Sequence, residues 1–267
     1  TIQTEQEETN MSIIVITGGT TGIGKCTREL LVSQGHEVFN IDYRGGDFQA
    51  DLSKKEDREK AVAEVYNRYP DGIDSLICNA GVGPMSPIPM IFPVNFFAPV
   101  QMAEGLRPLL KKKNGNCVIT ASNSITNMTV RPDWVDMLSN NMDEEKAAEI
   151  SEAIPPQLAA SVYSSSKAAL ARWVRRISPS WATDSLRINA VAPGNIATPM
   201  TDAMTPQQRA GALLIPIPTR SHTKEFQEPQ EVANVIAFLS SPLSSGMNGS
   251  IVFVDGGIDA LLRSERF

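Results

Sequence analysis

The chain of 267 residues has only three cysteines, Cys26, Cys78 and Cys117, and they are widely spaced in apolar surroundings. An odd number of cysteines at such wide spacings suits buried thiols better than a disulfide framework or a cysteine-based zinc site. We expect these three thiols to be buried in a protein of a reducing compartment, the cytoplasm.

The sequence also lacks an excess of basic residues and any long apolar run. Lys and Arg total 24 against 30 Asp and Glu, which gives a formal charge of −6. Nucleic-acid binding requires clustered positive charge, so we expect no nucleic-acid partner. Aliphatic runs such as Ile13–Ile16 fall far short of the roughly 20 apolar residues of a membrane span, which predicts a soluble protein without a membrane partner.

Short apolar runs alternate with longer amphipathic stretches along most of the chain. Continuous Val, Ile and Leu runs predict parallel strands that helices bury on both faces. The fold class is therefore α/β, a single doubly wound, Rossmann-type parallel sheet of six to seven strands. We predict strands over Ile13–Thr17, Glu37–Asp42, Ile73–Asn79, Asn116–Ala121, Arg187–Ala192 and Ser250–Asp255, and helices over Gly22–Gln34, Lys54–Tyr69, Asn95–Lys113, Ser161–Trp181 and Pro229–Ser240.

Three segments do not follow this alternation. Residues 1–10 are polar, and we interpret them as a disordered extension or an expression-vector remnant before a single domain, 11–267. Residues 127–160 form an acidic helical insert, a surface decoration or a part of an assembly contact or pocket wall. Residues 198–227 carry Met200, Met204, Leu213, Leu214 and Ile215, which suit either a mobile lid over a large hydrophobic substrate or a packed contact.

A glycine-rich loop joins the first predicted strand to the first predicted helix. Glycines in such a loop allow a tight turn and close backbone approach, and the helix N-terminus attracts an anion such as a dinucleotide pyrophosphate. The loop runs from Thr17 to Gly24, and its candidate cofactor-binding residues are Gly18, Thr21, Gly22, Ile23 and Gly24.

Other candidate cofactor residues follow later strands. Asp42 ends the second strand, where a carboxylate accepts both ribose hydroxyls and repels a 2′-phosphate; this favours NAD over NADP, although Arg44 lies two positions further on. The remaining candidates are Asp51 and Leu52 near an adenine, Asn79, Ala80 and Gly81 at the sheet edge, and Pro193, Gly194, Ile196 and Thr198 beside a nicotinamide.

Tyr163 and Lys167 are spaced one helical turn apart, so both side chains lie on one face. We expect the Lys167 ammonium, with an oxidised nicotinamide, to lower the phenol pKa and make Tyr163 an acid–base group.

Ser122 follows a strand and is placed to hold a substrate oxygen, and Ser124 is the competing assignment for this role. Asn95 is either a water-linked partner of Lys167 or a structural amide.

The order of the motifs described above resembles that of the short-chain dehydrogenase/reductase family. The resemblance covers Ser12 to Ile258. The resemblance implies that Asn95, Ser122, Tyr163 and Lys167 form a catalytic tetrad and that no metal is needed. It implies an NAD(H)-dependent oxidoreductase that interconverts a secondary alcohol and a ketone. A dinucleotide-responsive regulator and an epimerase with tightly held NAD are the alternatives.

A narrower likeness is carried by Met11–Ile16, the position of the insert, Val235–Leu239 and Val254–Ala260. These segments are similar to those of the bacterial 3α-hydroxysteroid dehydrogenase/carbonyl reductase group of that family. The likeness implies a hydrophobic alcohol or ketone substrate such as a steroid. It also implies a homo-oligomer, a dimer rather than a tetramer, because the insert in that group covers a helix-bundle contact.

Overall fold

The computed structural model describes residues 11–141, 143–220, 222–223 and 225–266. Our prediction for residues 1–10 lies outside them. The described residues form a seven-stranded parallel sheet in the order β3-β2-β1-β4-β5-β6-β7. Its strands are β1 Ile13–Thr17, β2 Glu37–Asp42, β3 Phe48–Gln49, β4 Ser75–Cys78, β5 Asn116–Thr120, β6 Arg187–Pro193 and β7 Ile251–Val254.

Helices cover both faces of this sheet, as predicted. The helices are α1 Gly22–Ser33, α2 Lys55–Arg68, α3 Ile88–Phe92, α4 Ala98–Lys111, α5 Pro132–Asp136, α6 Glu144–Glu152, α7 Ala159–Ala182, α8 Pro199–Asp202, α9 Pro206–Ala212, α10 Pro229–Ser240 and α11 Ile258–Leu262.

Successive side chains of each strand point to opposite faces of the sheet, and this divides the hydrophobic core into two layers. In β1, Ile14 and Ile16 face α1 and α10, whereas Val15 faces the layer formed with α2, α4 and α7. Successive strand residues point to opposite faces, so a strand buried on both sides must be apolar at every position. The fold class is therefore confirmed, with strand order reversing between β1 and β4, where such sheets bind ligands.

Asn95 does not lie at the start of a long helix. The helical path begins earlier, at α3, and passes through a π turn, Pro93–Phe97, before α4. The amide of Ala98 reaches back five residues to the Pro93 carbonyl. This extra residue in one helical turn re-aims the side chains around Asn95.

The insert is helical, with α5 and α6 packed against α3, the π turn and α7. Val135, Leu138 and Ala147 are buried in the main core cluster, and the Trp134 ring stands edge to face with Phe92 at 6.4 Å. Among the described residues, no helix has the length and apolar character needed to cross a membrane.

Candidate active site

The glycine loop folds into a nest of backbone amides at the start of α1. Gly18 and Gly22 have positive φ angles of 73° and 54°, which residues with a β-carbon rarely adopt. The first helical bond runs from the Lys25 amide to the Thr21 carbonyl, so the three amides before Lys25 have no helical acceptor. The first turn contains no acidic residue. The nest therefore suits an anion.

Close packing against the nest requires glycine at position 24, the last glycine of the loop. A β-carbon on Gly24 would lie 2.0 Å from the Gly18 oxygen and 2.5 Å from Asn79 Nδ2. The same Asn79 Nδ2 donates to the Gly18 oxygen at 3.0 Å, and the Ala80 amide donates to Thr17 Oγ1 at 3.2 Å. The turn after β4 thus fixes the shape of the nest after β1.

A cavity of about 370 Å³ opens along the carboxyl edge of the sheet, next to this nest. Its volume lies within the range of ligand pockets. All but two of the candidate residues line it, and the exceptions are Gly24 and Asn95. The lining candidates are Gly18, Thr21, Gly22, Ile23, Asp42, Asp51, Leu52, Asn79, Ala80, Gly81, Ser122, Tyr163, Lys167, Pro193, Gly194, Ile196 and Thr198.

Carboxylates stand at one end of this cavity. Asp42 accepts hydrogen bonds from the amides of Thr20, at 3.0 Å, and Arg44, at 3.4 Å. These contacts hold the carboxylate at the carboxyl end of β2. Asp51 lines the wall and accepts from the Ser53 hydroxyl at 2.6 Å.

Ser122, Tyr163 and Lys167 meet at the other end. Tyr163 and Lys167 lie on α7, and Ser122 follows β5. Ser122 Oγ accepts from the Ser124 amide at 3.1 Å, which orients the hydroxyl. Ser124 does not line the cavity, so the geometry favours Ser122 over its competitor.

The expected lowering of the Tyr163 pKa by Lys167 and an oxidised nicotinamide stays a prediction, and burial of the side chains acts against it. Loss of hydration raises the Tyr163 pKa, and the Ser122 hydroxyl lowers it only in part. Lys167 is 4% exposed, and its Nζ donates to the Thr120 carbonyl at 2.8 Å. Burial lowers the Lys167 pKa to about 8. Sequence spacing places the two groups on one face but does not reveal this desolvation.

Asn95 lies behind the cavity wall, next to Lys167. Its Oδ1 accepts from the Val82 amide at 2.9 Å, and its Nδ2 donates to the Val82 carbonyl at 3.0 Å. A β-carbon on Gly81 would lie 3.3 Å from both Asn95 Oδ1 and Lys167 Nζ. The amide therefore holds the segment that touches Lys167, and its role in proton exit stays a prediction.

The substrate end of the cavity differs from our expectation. No described residue of the insert lines it, so the pocket-wall interpretation of the insert is wrong; the insert packs against α3, the π turn and α7. Of the five lid residues named above, Met200 alone lines the cavity, whereas Leu214 is 82% exposed. Val82 and Met90 lie in the Gly81–Phe92 loop and Pro199 and Thr201 in residues 198–227, two segments that the sequence predicts beside the substrate. Sequence reasoning missed the lining residues Tyr43, Ala50, Val94, Thr120 and Ala121.

Comparison with known proteins decides the family. A family model described as short chain dehydrogenase matches residues 12–131, and one described as Enoyl-(Acyl carrier protein) reductase matches residues 149–259. The 3-alpha-hydroxysteroid dehydrogenase/carbonyl reductase of Comamonas testosteroni is 35% identical over 96% of this chain and 100% of its own.

The chain belongs to the short-chain dehydrogenase family. A crystal structure of the 3-alpha-hydroxysteroid dehydrogenase from Pseudomonas sp. B-0831, complexed with NADH, superposes with a TM-score of 0.89. That protein is 36% identical, and the alignment covers 96% of this chain and 100% of the other. The protein is thus an oxidoreductase of this family.

Proposed function

We propose that the protein is an NAD(H)-dependent oxidoreductase that interconverts a hydrophobic secondary alcohol, such as a hydroxysteroid, and its ketone. The observation that carries the proposal is one continuous cavity that runs from the amide nest and Asp42 to Ser122, Tyr163 and Lys167. A nicotinamide dinucleotide, when bound, supplies the hydride acceptor or donor for this chemistry.

The residues of this cavity fit such a dinucleotide. The nest amides, the nearby end of α1 and the absence of β-carbons at Gly18 and Gly22 leave space and positive potential for a pyrophosphate. Asp42 provides carboxylate oxygens for ribose hydroxyls and disfavours a 2′-phosphate, which supports NAD over NADP. The Pseudomonas relative, whose crystal structure is a complex with NADH, agrees with this choice.

Tyr163 is the acid–base group of the proposed reaction. In alcohol oxidation, the Tyr163 phenolate accepts the hydroxyl proton while the Ser122 hydroxyl holds the substrate oxygen. Lys167 contributes a cation or a neutral amine beside this pair, because burial brings its pKa to about 8. A buried positive charge next to the phenol favours the phenolate once substrate and dinucleotide exclude water.

Apolar side chains at the substrate end support a hydrophobic alcohol. Val82, Met90, Val94, Pro199 and Met200 line the cavity. The Comamonas relative is named for hydroxysteroid and carbonyl substrates. We infer a steroid-sized substrate, a lid over 198–227 and a cytoplasmic dimer as the finer parts of this proposal.

The test is a panel of 3α-hydroxysteroids, small secondary alcohols and the matching ketones, assayed with NAD(H) and NADP(H) by absorbance of the reduced nicotinamide. The proposal predicts net reduction of NAD by at least one hydrophobic secondary alcohol. Tight dinucleotide binding without net absorbance change for any member would overturn it in favour of a sensor or an epimerase.

A further inference from the structure

Arg58 is a buried cation outside the cavity. It lies on α2, is 0% exposed, and directs all three guanidinium nitrogens at acceptors. Its Nε donates to Gln101 Oε1 at 2.8 Å, and one terminal nitrogen donates to both carboxylate oxygens of Glu144 at 2.6 Å. A guanidinium suits this task because its donors form a rigid planar fork.

The remaining terminal nitrogen reaches two main-chain carbonyls that belong to two different segments next to the cavity. It lies 3.2 Å from the Leu52 oxygen and 3.4 Å from the Pro93 oxygen. Leu52 lines the end near Asp51, and Pro93 begins the π turn that carries Val94 and Asn95. One side chain therefore holds both a cofactor-side segment and the segment of Asn95.

The contact at Pro93 coincides with the irregular hydrogen bond of the turn. The Pro93 carbonyl also accepts from the Ala98 amide, the five-residue bond that defines the π turn. A second donor on this carbonyl stabilises the widened turn against reversion to the α-helical register.

Glu144 supplies the counter-ion of the buried Arg58 guanidinium. It is the first residue of α6 in the insert, and its side chain is 28% exposed, whereas that of Arg58 is fully buried. A buried cation without a counter-ion is strongly destabilising. The insert thus completes a structural element that the two cavity segments share.

We propose that Arg58 and Glu144 are positioning residues for this active site, and that the acidic insert serves to neutralise and orient Arg58. The proposal rests on the proposed function for its catalytic consequence. It predicts that loss of the guanidinium fork loosens residues 50–53 and 93–97 together, weakens dinucleotide binding and slows turnover. Ångström-scale misplacement of catalytic groups costs on the order of 100-fold in rate.

The experiment separates positioning from stability by replacing the ion pair with apolar residues. Apolar replacement of a buried pair is often neutral for stability. We expect the double variant Arg58→Met with Glu144→Leu to melt near the wild-type temperature, yet to bind NADH about 10-fold more weakly and to lower kcat about 10-fold to 100-fold for the best alcohol of the panel. In the absence of NADH, the amides of residues 50–53 and 94–97 should exchange faster in the double variant than in the wild type; Pro93 has no amide hydrogen.

Two further variants make the result decisive. Arg58→Lys keeps the charge without the fork, so it should show the same faster exchange and weaker NADH binding even if the double variant does not fold. Glu145→Gln, exposed on the same helix, is the matched control and should behave as the wild type. Unchanged exchange, NADH affinity and kcat in the double variant, or in Arg58→Lys if only that variant folds, would overturn the proposal.

Failure of the proposed function has a different signature. The wild type would then reduce NAD with no alcohol of the panel, whether or not it binds NADH. Hydrogen exchange of the two segments does not depend on turnover, so it would still decide the role of Arg58.

Discussion

Replacing Lys167 by Met is expected to stabilise the fold by an amount that depends on pH. Lys167 is buried beside β5, and burial lowers its pKa from 10.5 to about 8. Above pH 8 the native state therefore releases a proton that the unfolded chain retains up to pH 10.5. Stability of the wild type consequently rises with pH across this window, and methionine has no such dependence.

The magnitude follows from the two pKa values. A shift of this size disfavours the protonated native state by about 3 kcal/mol at pH 7, and the penalty falls to about 1 kcal/mol at pH 9.5. Loss of the hydrogen bond from Nζ to the Thr120 carbonyl opposes the gain at both pH values. The difference in the free energy of unfolding, Lys167→Met minus wild type, should thus decrease by about 2 kcal/mol from pH 7 to pH 9.5.

Urea denaturation of both proteins without dinucleotide, at the two pH values, measures this difference. Lys55→Met at an exposed position of α2 is the matched control for loss of a lysine charge. A Lys167→Met difference that stays constant between pH 7 and pH 9.5 would refute the argument that burial disfavours the ammonium.

Two other substitutions test the cofactor end. Gly24→Ala places a β-carbon 2.0 Å from the Gly18 oxygen, so NADH binding measured by fluorescence titration should be lost, whereas Gly211→Ala, with no neighbour within 4 Å, should bind normally. Wild-type affinity of Gly24→Ala would contradict the nest. Asp42→Ala removes the carboxylate that disfavours a 2′-phosphate. The ratio of kcat/KM for NADP to kcat/KM for NAD should therefore rise by about 10-fold or more. An unchanged ratio would remove Asp42 from cofactor selection.

The parts of the fold that depend on neighbours in sequence could be predicted. Strand β2 and helix α10 have the predicted bounds, because apolar runs and a proline at the helix start are local signals. The glycine loop is likewise local, since positive φ at Gly18 and Gly22 is a property of those residues. The seven-stranded parallel sheet follows from the repetition of these units.

The parts of the structure that depend on tertiary contacts could not be predicted from the sequence. The π turn around Asn95 begins at Pro93, and helical periodicity does not reveal such a turn. Its Pro93 carbonyl accepts from Arg58, which lies 35 residues earlier in the chain than Pro93. Burial raises the Tyr163 pKa and lowers the Lys167 pKa, and the spacing of the two residues does not reveal this, because desolvation depends on the packing of α7 against β5. A pocket wall is one interpretation of the insert from its sequence, yet its core residues pack against α3, the π turn and α7.

In the proposed reaction, Tyr163 transfers the substrate proton beside a bound dinucleotide. The most direct measurement compares the wild type with Tyr163→Phe, using NADH titration and turnover of the best alcohol on the same preparations. We predict the same NADH dissociation constant and a loss of about 10²-fold to 10⁴-fold in kcat. A phenylalanine variant that turns over at close to the wild-type rate would contradict the account.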